Sequence, residues 1–326
     1  MSELMATRQA FGEGLYELMQ GNDKIIALTA DLGESLRMLK IRDEMPERFL
    51  DTGVAEANMA GIAAGLALAG YIPVAGTFSV FLTRAFDHIR LQVCQNPPSP
   101  TASEGQVDSS PGLHVILVGS HGGVSNAMDG GSANALEDLA YMRALPNMTV
   151  IFPADGNETK AAISAAIQAQ GPIFLRLYRE PTPLLRQGYG GQAQFQIGKA
   201  RIMREGKDVT IIGTGPQVAF ALEAAEKLKT DNIDAEVVNV HTLQPIDAKT
   251  IVASAKKTGQ VVTVEDHNIN GGLGSAVAEV LGEGHPTPLR RIAVTQFGES
   301  GKYHELIAKL GIDADGIYRT TKKFVK

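Results

Sequence analysis

Short apolar runs alternate with amphipathic stretches along almost the whole chain, the signature of strands alternating with helices. Residues 24–29, 72–76, 114–118, 149–152 and 173–177 read as strands. An amphipathic helix ends near Gly21, and further helices are predicted at 81–94, 137–144 and 156–169. From Ala57 to Ala69 the side chains are small or apolar on almost every face, which suits a helix buried against close neighbours, and Gly70 stops it. The series breaks at residues 181–191, a turn-rich run that reads as a linker. It restarts with strands at 208–212, 235–240 and 260–265 and helices at 218–229 and 247–258. A helix opened by Gly271-Gly-Leu-Gly274, a strand near Arg291 and a closing helix complete the set. The alternation predicts an α/β protein of two doubly wound domains with mostly parallel sheets, residues 1–180 and 196–326, joined by a linker at 181–195. Residues 97–112 lack periodicity, are rich in Pro, Ser and Gly, and read as an inserted surface loop.

Composition narrows the function classes. With 326 residues, 44% hydrophobic and 20% charged, the chain can bury the cores of two globular domains. A net charge of -6 carries no polybasic footprint, which argues against nucleic acid or an acidic membrane as a partner. Cys94 is the single cysteine, so neither an internal disulfide nor a cysteine metal cluster can form, and no protein metal site is expected. The first residues lack the charged start and apolar run of a signal peptide, and no apolar segment is long enough to span a bilayer. A cytoplasmic protein is expected.

In open parallel sheets, ligands gather where strands end and helices begin. Those turns hold Asp31, Ser35, His121, Asp129 and Arg179, with Glu56 at the mouth of the apolar helix. The helix dipole favours an acid there, while burial beside apolar walls tends to raise a carboxyl pKa. Such a group can keep a proton, or share one with a nitrogen heterocycle, near neutral pH; taken by itself, Glu56 reads more plainly as a helix cap. Phe78 and Phe81 lie three apart on one predicted helical face, where core packing is the ordinary explanation. A flat heterocycle stacked on a ring and hydrogen-bonded to Glu56 would account for both features.

On Gly53-Val-Ala-Glu-Ala-Asn-Met59, Gly61-Ile-Ala-Ala-Gly65 and Thr77-Phe78, the first half resembles the pyrimidine-binding domain of thiamine-diphosphate enzymes. Asp129-Gly130, Ala135-Leu-Glu-Asp-Leu-Ala140 and Arg143-Ala-Leu-Pro-Asn-Met148 resemble its transketolase branch. Ile197-Gly-Lys-Ala200, His241-Thr-Leu-Gln-Pro-Ile-Asp247, Glu265-Asp-His, Gly271-Gly-Leu-Gly-Ser-Ala-Val-Ala278 and Phe297-Gly-Glu-Ser-Gly301 carry the likeness through the second half. Each motif is short; their order and spacing make the resemblance.

The resemblance implies a role for each candidate. Glu56 would hydrogen-bond the aminopyrimidine ring and promote the imino tautomer that takes the proton from thiazolium C2, making a carbon nucleophile. Phe78, Phe81 and Asp31 would complete the cofactor site, although Arg84 stands where the family often has a further aromatic. Arg8, Ser35, His121 and Arg179 would clamp a sugar phosphate, and Asp129 would bond a donor-sugar hydroxyl. The catalytic set would be Glu56, His121 and Asp129. One departure stands out: the family pattern Asp-Gly-x-Thr-His reads Asp129-Gly-Gly-Ser-Ala133 here. Ala133 thus replaces a substrate-contacting histidine, with His88 or His267 as candidate substitutes.

The family's diphosphate-binding domain has no counterpart in this sequence, which contains no Gly-Asp-Gly, and Gly271–Gly274 reads as tight helix packing rather than a phosphate loop. The resemblance therefore implies the C-terminal subunit of a split transketolase of pentose phosphate metabolism. It would move a two-carbon ketol unit from a ketose phosphate to an aldose phosphate. Thiamine diphosphate and Mg²⁺ would be held with a separate N-terminal subunit, in a heterotetramer of two plus two. Neighbouring readings are a 2-oxoacid dehydrogenase beta subunit, a 1-deoxyxylulose 5-phosphate synthase and a non-catalytic partner subunit.

Overall fold

The structure, a computed structural model, describes residues 3–95, 111–185 and 195–325. Almost all of the expected insertion at 97–112, and residues 186–194 of the expected linker, lie outside the described residues.

A short antiparallel ribbon joins β1 (Leu4–Ala6) to β8 (Pro181–Pro183). Six parallel strands form most of the first sheet: β2 (Ile25–Thr29), β3 (Phe49–Asp51), β4 (Ile72–Phe78), β5 (Ile116–Ser120), β6 (Thr149–Ile151) and β7 (Ile173–Arg176). In the second sheet, β9 (Arg201–Arg204) lies antiparallel to β11 (Ala235–Asn239), while β11, β10 (Val209–Gly213), β13 (Val261–Asn268) and β14 (Leu289–Val294) run parallel. β12 (Thr242–Gln244), although it follows β11 in the chain, crosses to the first sheet and pairs antiparallel with β6. The orders are β12-β6-β7-β5-β4-β2-β3 and β14-β13-β10-β11-β9. This is the α/β, mostly parallel architecture that the alternation predicts. β2, β5, β10 and β11 are buried at every position, as strands covered on both faces must be.

Helix Glu56–Leu68 buries Met59, Ala60, Ala63 and Ala64 in one apolar cluster with Ala75, Leu82 and Ile89. That cluster continues through Val150 and Phe152 to Ile212, Val238 and Leu273, so the two sheets share a core. Gly70 follows the helix at φ 88, a conformation glycine adopts without strain. No described helix is long and apolar enough to cross a membrane.

The region 81–94 departs from expectation. β4 runs on to Phe78, paired with Ser120 of β5; a 3-10 stretch at Ser79–Ala85, one α turn at Phe86–His88 and a π-helical stretch at Ile89–Cys94 follow. Phe78 and Phe81 therefore do not share a helical face: one closes a strand and the other lies in the turn that leaves it. The expected linker also begins with structure, because Pro181–Pro183 is an edge strand, where proline is tolerated.

Candidate active site

Parallel register brings the candidate residues to one edge of the first sheet. Thr29 pairs with Gly76, Phe78 with Ser120 and Gly119 with Arg176, so the carboxyl ends of β2, β4, β5 and β7 lie side by side. Asp31 follows β2, Phe78 ends β4, His121 follows β5 and Arg179 follows β7. Open α/β sheets bind ligands at such an edge.

Glu56 opens its helix and is 3% exposed, yet its Oε1 accepts no hydrogen bond. Arg84, from the turn after β4, brings Nη1 to 3.6 Å from that oxygen and sets its guanidinium 4.9 Å from the Phe81 ring centroid. The rings of Phe78 and Phe81 stack at 5.6 Å and 19°. Buried Thr77 adds a second unpaired oxygen, Oγ1, at the end of β4. Asp31 stands apart: it is exposed, sits at φ 60, and its N–H donates to Asp51 Oδ1 at 2.9 Å.

A second group gathers around His121. Arg8 Nη1 donates to the Ser35 carbonyl at 3.1 Å and reaches His121 Nε2 at 3.3 Å. Ser120 Oγ lies 2.9 Å from His121 Nδ1, and the Phe78 ring packs on the imidazole at 3.9 Å, tilted by 33°. A guanidinium can only donate, so Nε2 accepts and the proton sits on Nδ1, facing Ser120. Burial, then the charges of Arg8, Arg179 and Arg37, push His121 down to about 3. His121 is thus a neutral ring, and the positive charge here belongs to the arginines.

Arg179 Nη1 bonds Asn126 Oδ1 at 2.7 Å and Asp129 Oδ2 at 2.9 Å, tying the 126–134 loop to β7. The Phe297–Gly301 motif packs on this loop: Ser300 Oγ donates to the Met128 carbonyl at 2.9 Å and Gly301 N–H to Ala127 at 3.1 Å. Beside Ala133, Asn134 is buried with both side-chain polar atoms unpaired. His267 does not stand in for the family histidine. It is fully buried, accepts from Ala140 N–H at Nε2 (3.3 Å) and donates from Nδ1 to the Asn268 carbonyl (2.8 Å). Half-buried His88 lies on the turn Phe86–His88, without a hydrogen bond or ring contact to residues 126–134 among the described residues.

Beneath the site runs a buried polar strut. Asp138 Oδ2 accepts from Ser79 Oγ at 2.5 Å and Arg176 Nε at 2.6 Å. Arg176 also donates to the carbonyls of Ala135 (2.9 Å) and Asp266 (3.0 Å). Asp266 accepts from Val124 N–H and Tyr178 Oη, and Glu265 from the N–H groups of Leu273 and Gly274. The Gly271–Gly274 turn is thus filled by the chain's own carboxylate, as tight packing requires. Asn126, Ser120 and Arg37 escape sequence reasoning because none belongs to a recognisable motif; only the position of Ser120 at a strand end signals it.

Fold and site together define a two-domain α/β chain with a buried acid linked through Arg84 to a pair of stacked rings, and with arginines gathered around a neutral histidine at the strand ends. The profile of the transketolase pyrimidine-binding domain matches residues 3–104 and 106–183, and that of the transketolase C-terminal domain matches 198–317. The chain belongs to the transketolase family. It is 42% identical over 313 residues to the 6-deoxy-6-sulfo-D-fructose transketolase subunit SqwH of Clostridium sp. (strain MSTE9), covering 96% of this chain and 92% of that one. It is 40% identical over 330 residues to the transketolase of Mus musculus, of which it covers 50%. A solved structure described as a split gene transketolase, inactive beta4 tetramer, matches 98% of both chains with a TM-score of 0.87 at 40% identity. The transketolase family is thiamine-diphosphate dependent.

Proposed function

We propose that this chain is the C-terminal subunit of a two-subunit, thiamine-diphosphate-dependent transketolase. It moves a two-carbon ketol unit between sugars that end in an anionic group. The observation that carries this reading is the buried Glu56 carboxyl, with an oxygen that accepts no hydrogen bond and with Arg84 linking it to the Phe81 ring that stacks on Phe78. Leaving a buried acceptor unpaired costs about 1–3 kcal/mol, and a ring N–H would remove that cost. The residues present therefore fit the pyrimidine end of the cofactor.

Thiamine diphosphate, when bound, supplies a carbon nucleophile. Glu56 would hold the pyrimidine ring and carry the proton at its carboxyl, with Phe78 and Phe81 flanking the ring. Arg8 and Arg179 would hold the anionic end of the sugar by charge-assisted forks. His121 would orient Arg8 through its Nε2 acceptor, and Asp129 would accept from a sugar hydroxyl. The diphosphate and Mg²⁺ belong to a separate N-terminal subunit, a reading supported by the relative named a transketolase subunit, 92% of which this chain covers. The inactive beta4 tetramer of the split-gene relative accords with a chain that needs that partner. The anion is a phosphate, or a sulfonate like that in the substrate named for SqwH.

The test combines the chain with a candidate N-terminal subunit, thiamine diphosphate and Mg²⁺. Transfer to ribose 5-phosphate is assayed from xylulose 5-phosphate and from 6-deoxy-6-sulfofructose, with each subunit alone and with both. Activity confined to the mixture and lost in Glu56→Gln supports the proposal. A complex that binds cofactor but uses neither donor overturns the substrate class, and failure to bind cofactor overturns the whole reading.

A further inference from the structure

The cluster around Arg8 includes a cation that no motif marks. Arg37 lies between β2 and helix Leu39–Glu44 at φ 61, a conformation that a long side chain adopts only where its surroundings impose it. A helix-ending turn sets it, with Met38 N–H on the Gly33 carbonyl at 2.8 Å and Arg37 N–H on the Glu34 carbonyl at 3.0 Å, and helix Thr7–Gly21 packs against that turn. Gly12 stands one helical turn beyond Arg8, and a Cβ at that glycine would come within 2.3 Å of the Arg37 carbonyl oxygen and 2.7 Å of the Arg37 Cβ. No other residue at 12 permits so close an approach. Arg8 closes the same junction from its other end, through its 3.1 Å bond to the Ser35 carbonyl.

Residues four apart on a helix face have Cβ atoms about 5–6 Å apart. The Arg37 Cβ, seated against Gly12, is therefore about one helical turn from that of Arg8 and on the same face. The Arg37 side chain is exposed. After burial, its charge is the largest influence lowering the pKa of Arg8, and it bears on His121 as well. Three arginines, 8, 37 and 179, thus act on one neutral histidine at the strand ends. Asp129 pairs with Arg179 and the charge of Glu180 bears on Arg8, so the repulsion is relieved in part, and a bound anion would relieve the rest.

We propose that Arg37 is a substrate-binding residue that completes, with Arg8 and Arg179, a three-arginine cradle for the terminal oxyanion of the sugar. This rests on the transketolase reading above and adds to it the residue that selects charged over uncharged donors. Strain at position 37 and the glycine at position 12 are the structural cost of holding that third cation beside Arg8.

The test uses the reconstituted pair with D-glyceraldehyde as acceptor and three donors: xylulose 5-phosphate, 6-deoxy-6-sulfofructose and uncharged L-erythrulose. Arg37→Asn keeps a residue that tolerates positive φ, so the turn survives, and Arg37→Lys keeps the charge. In Arg37→Asn, the kcat/KM ratio of the favoured charged donor over erythrulose falls about ten- to a hundredfold, through KM; Arg37→Lys recovers part of it. Whichever charged donor loses more identifies the anion as phosphate or sulfonate. An unchanged ratio, with the wild-type pair active on a charged donor, overturns the role of Arg37 and leaves the transketolase reading intact. A wild-type pair that prefers erythrulose to both charged donors overturns the two together.

Discussion

Arg179 and Asp129 are bound to each other, Nη1 to Oδ2, at 2.9 Å. The proposed function assigns them different parts of one substrate, the anion to the arginine and a hydroxyl to the aspartate. On that reading, an oxyanion that takes Arg179 Nη1 would compete with Asp129, and its binding would loosen the loop that presents the hydroxyl acceptor.

Asp129→Asn separates these effects. Both partners are partly exposed, at 34% and 49%, so the ion pair contributes little to stability, about 0–1 kcal/mol. Urea denaturation is expected to register less than about 1 kcal/mol. Inorganic phosphate, used as a competitive inhibitor of the reconstituted pair, is expected to bind a few-fold tighter to the variant. Weaker inhibition would remove the competition.

Glu56→Gln is expected to be a shape-preserving change with a large kinetic effect. At 3.6 Å, Arg84 offsets the Glu56 charge without donating a good hydrogen bond, so stability should move by less than about 1 kcal/mol. Turnover is expected to fall about 10²- to 10⁴-fold, the usual worth of a positioned proton carrier. Steady-state rates with cofactor at saturation, beside urea curves of the same variant, check both halves. More than a tenth of the activity surviving would take the proton step away from Glu56.

Strands such as Ile25–Thr29 and Ile116–Ser120 are legible in the sequence, or nearly so, because burial on both faces demands continuous apolar runs. Phe49–Asp51 and Arg201–Arg204 are not, since edge strands carry charge and satisfy no burial pattern. Spacing also cannot separate α-helix from the 3-10 and π geometry of Ser79–Cys94, because the same apolar positions serve all three. In the site, residues at strand ends are readable from position: Phe78, His121 and Arg179 lie at neighbouring strand ends. Arg37 and Asn126 are invisible because tertiary approach, through Gly12 and Arg179, gives them their surroundings. His267 misleads for the complementary reason: a histidine in a sequence advertises chemistry, and here both ring nitrogens are spent on backbone.

Arg176 and Asp138 form a fully buried pair, and the rest of the strut depends on it. Removing one partner leaves the other charge buried and alone, at a cost of about 3–5 kcal/mol. Arg176→Met is expected to lose stability of that order and to release the Ala135 and Asp266 carbonyls that anchor the 122–136 loop. Chemical denaturation measures the loss; a value below about 1 kcal/mol would show that the pair is dispensable.

The buried groups also set how stability changes with pH. Burial pushes Glu265 up to about 7 and Asp266 up to about 6; it pushes His121 down to about 3, and His241 and His267 down to about 4. A raised acid holds its proton more tightly folded than unfolded, so its contribution is complete below the unfolded value and is lost as pH rises through 6 to 7. A lowered histidine behaves oppositely: its contribution is complete above the unfolded value of 6.5 and is lost as pH falls through 4 to 3. Between about pH 5 and 6 the three histidines therefore raise stability with pH, and the two acids oppose them. Glu265→Gln removes one opposing group while keeping an oxygen to accept from the helix that starts at Leu273. Its stability is expected to climb more steeply with pH than wild type, by about one proton or ~1.4 kcal/mol per pH unit. Urea midpoints of both proteins across that interval give the two slopes. Parallel curves would mean that Glu265 is ionised throughout and that its bonds to the Leu273 and Gly274 N–H groups outweigh burial.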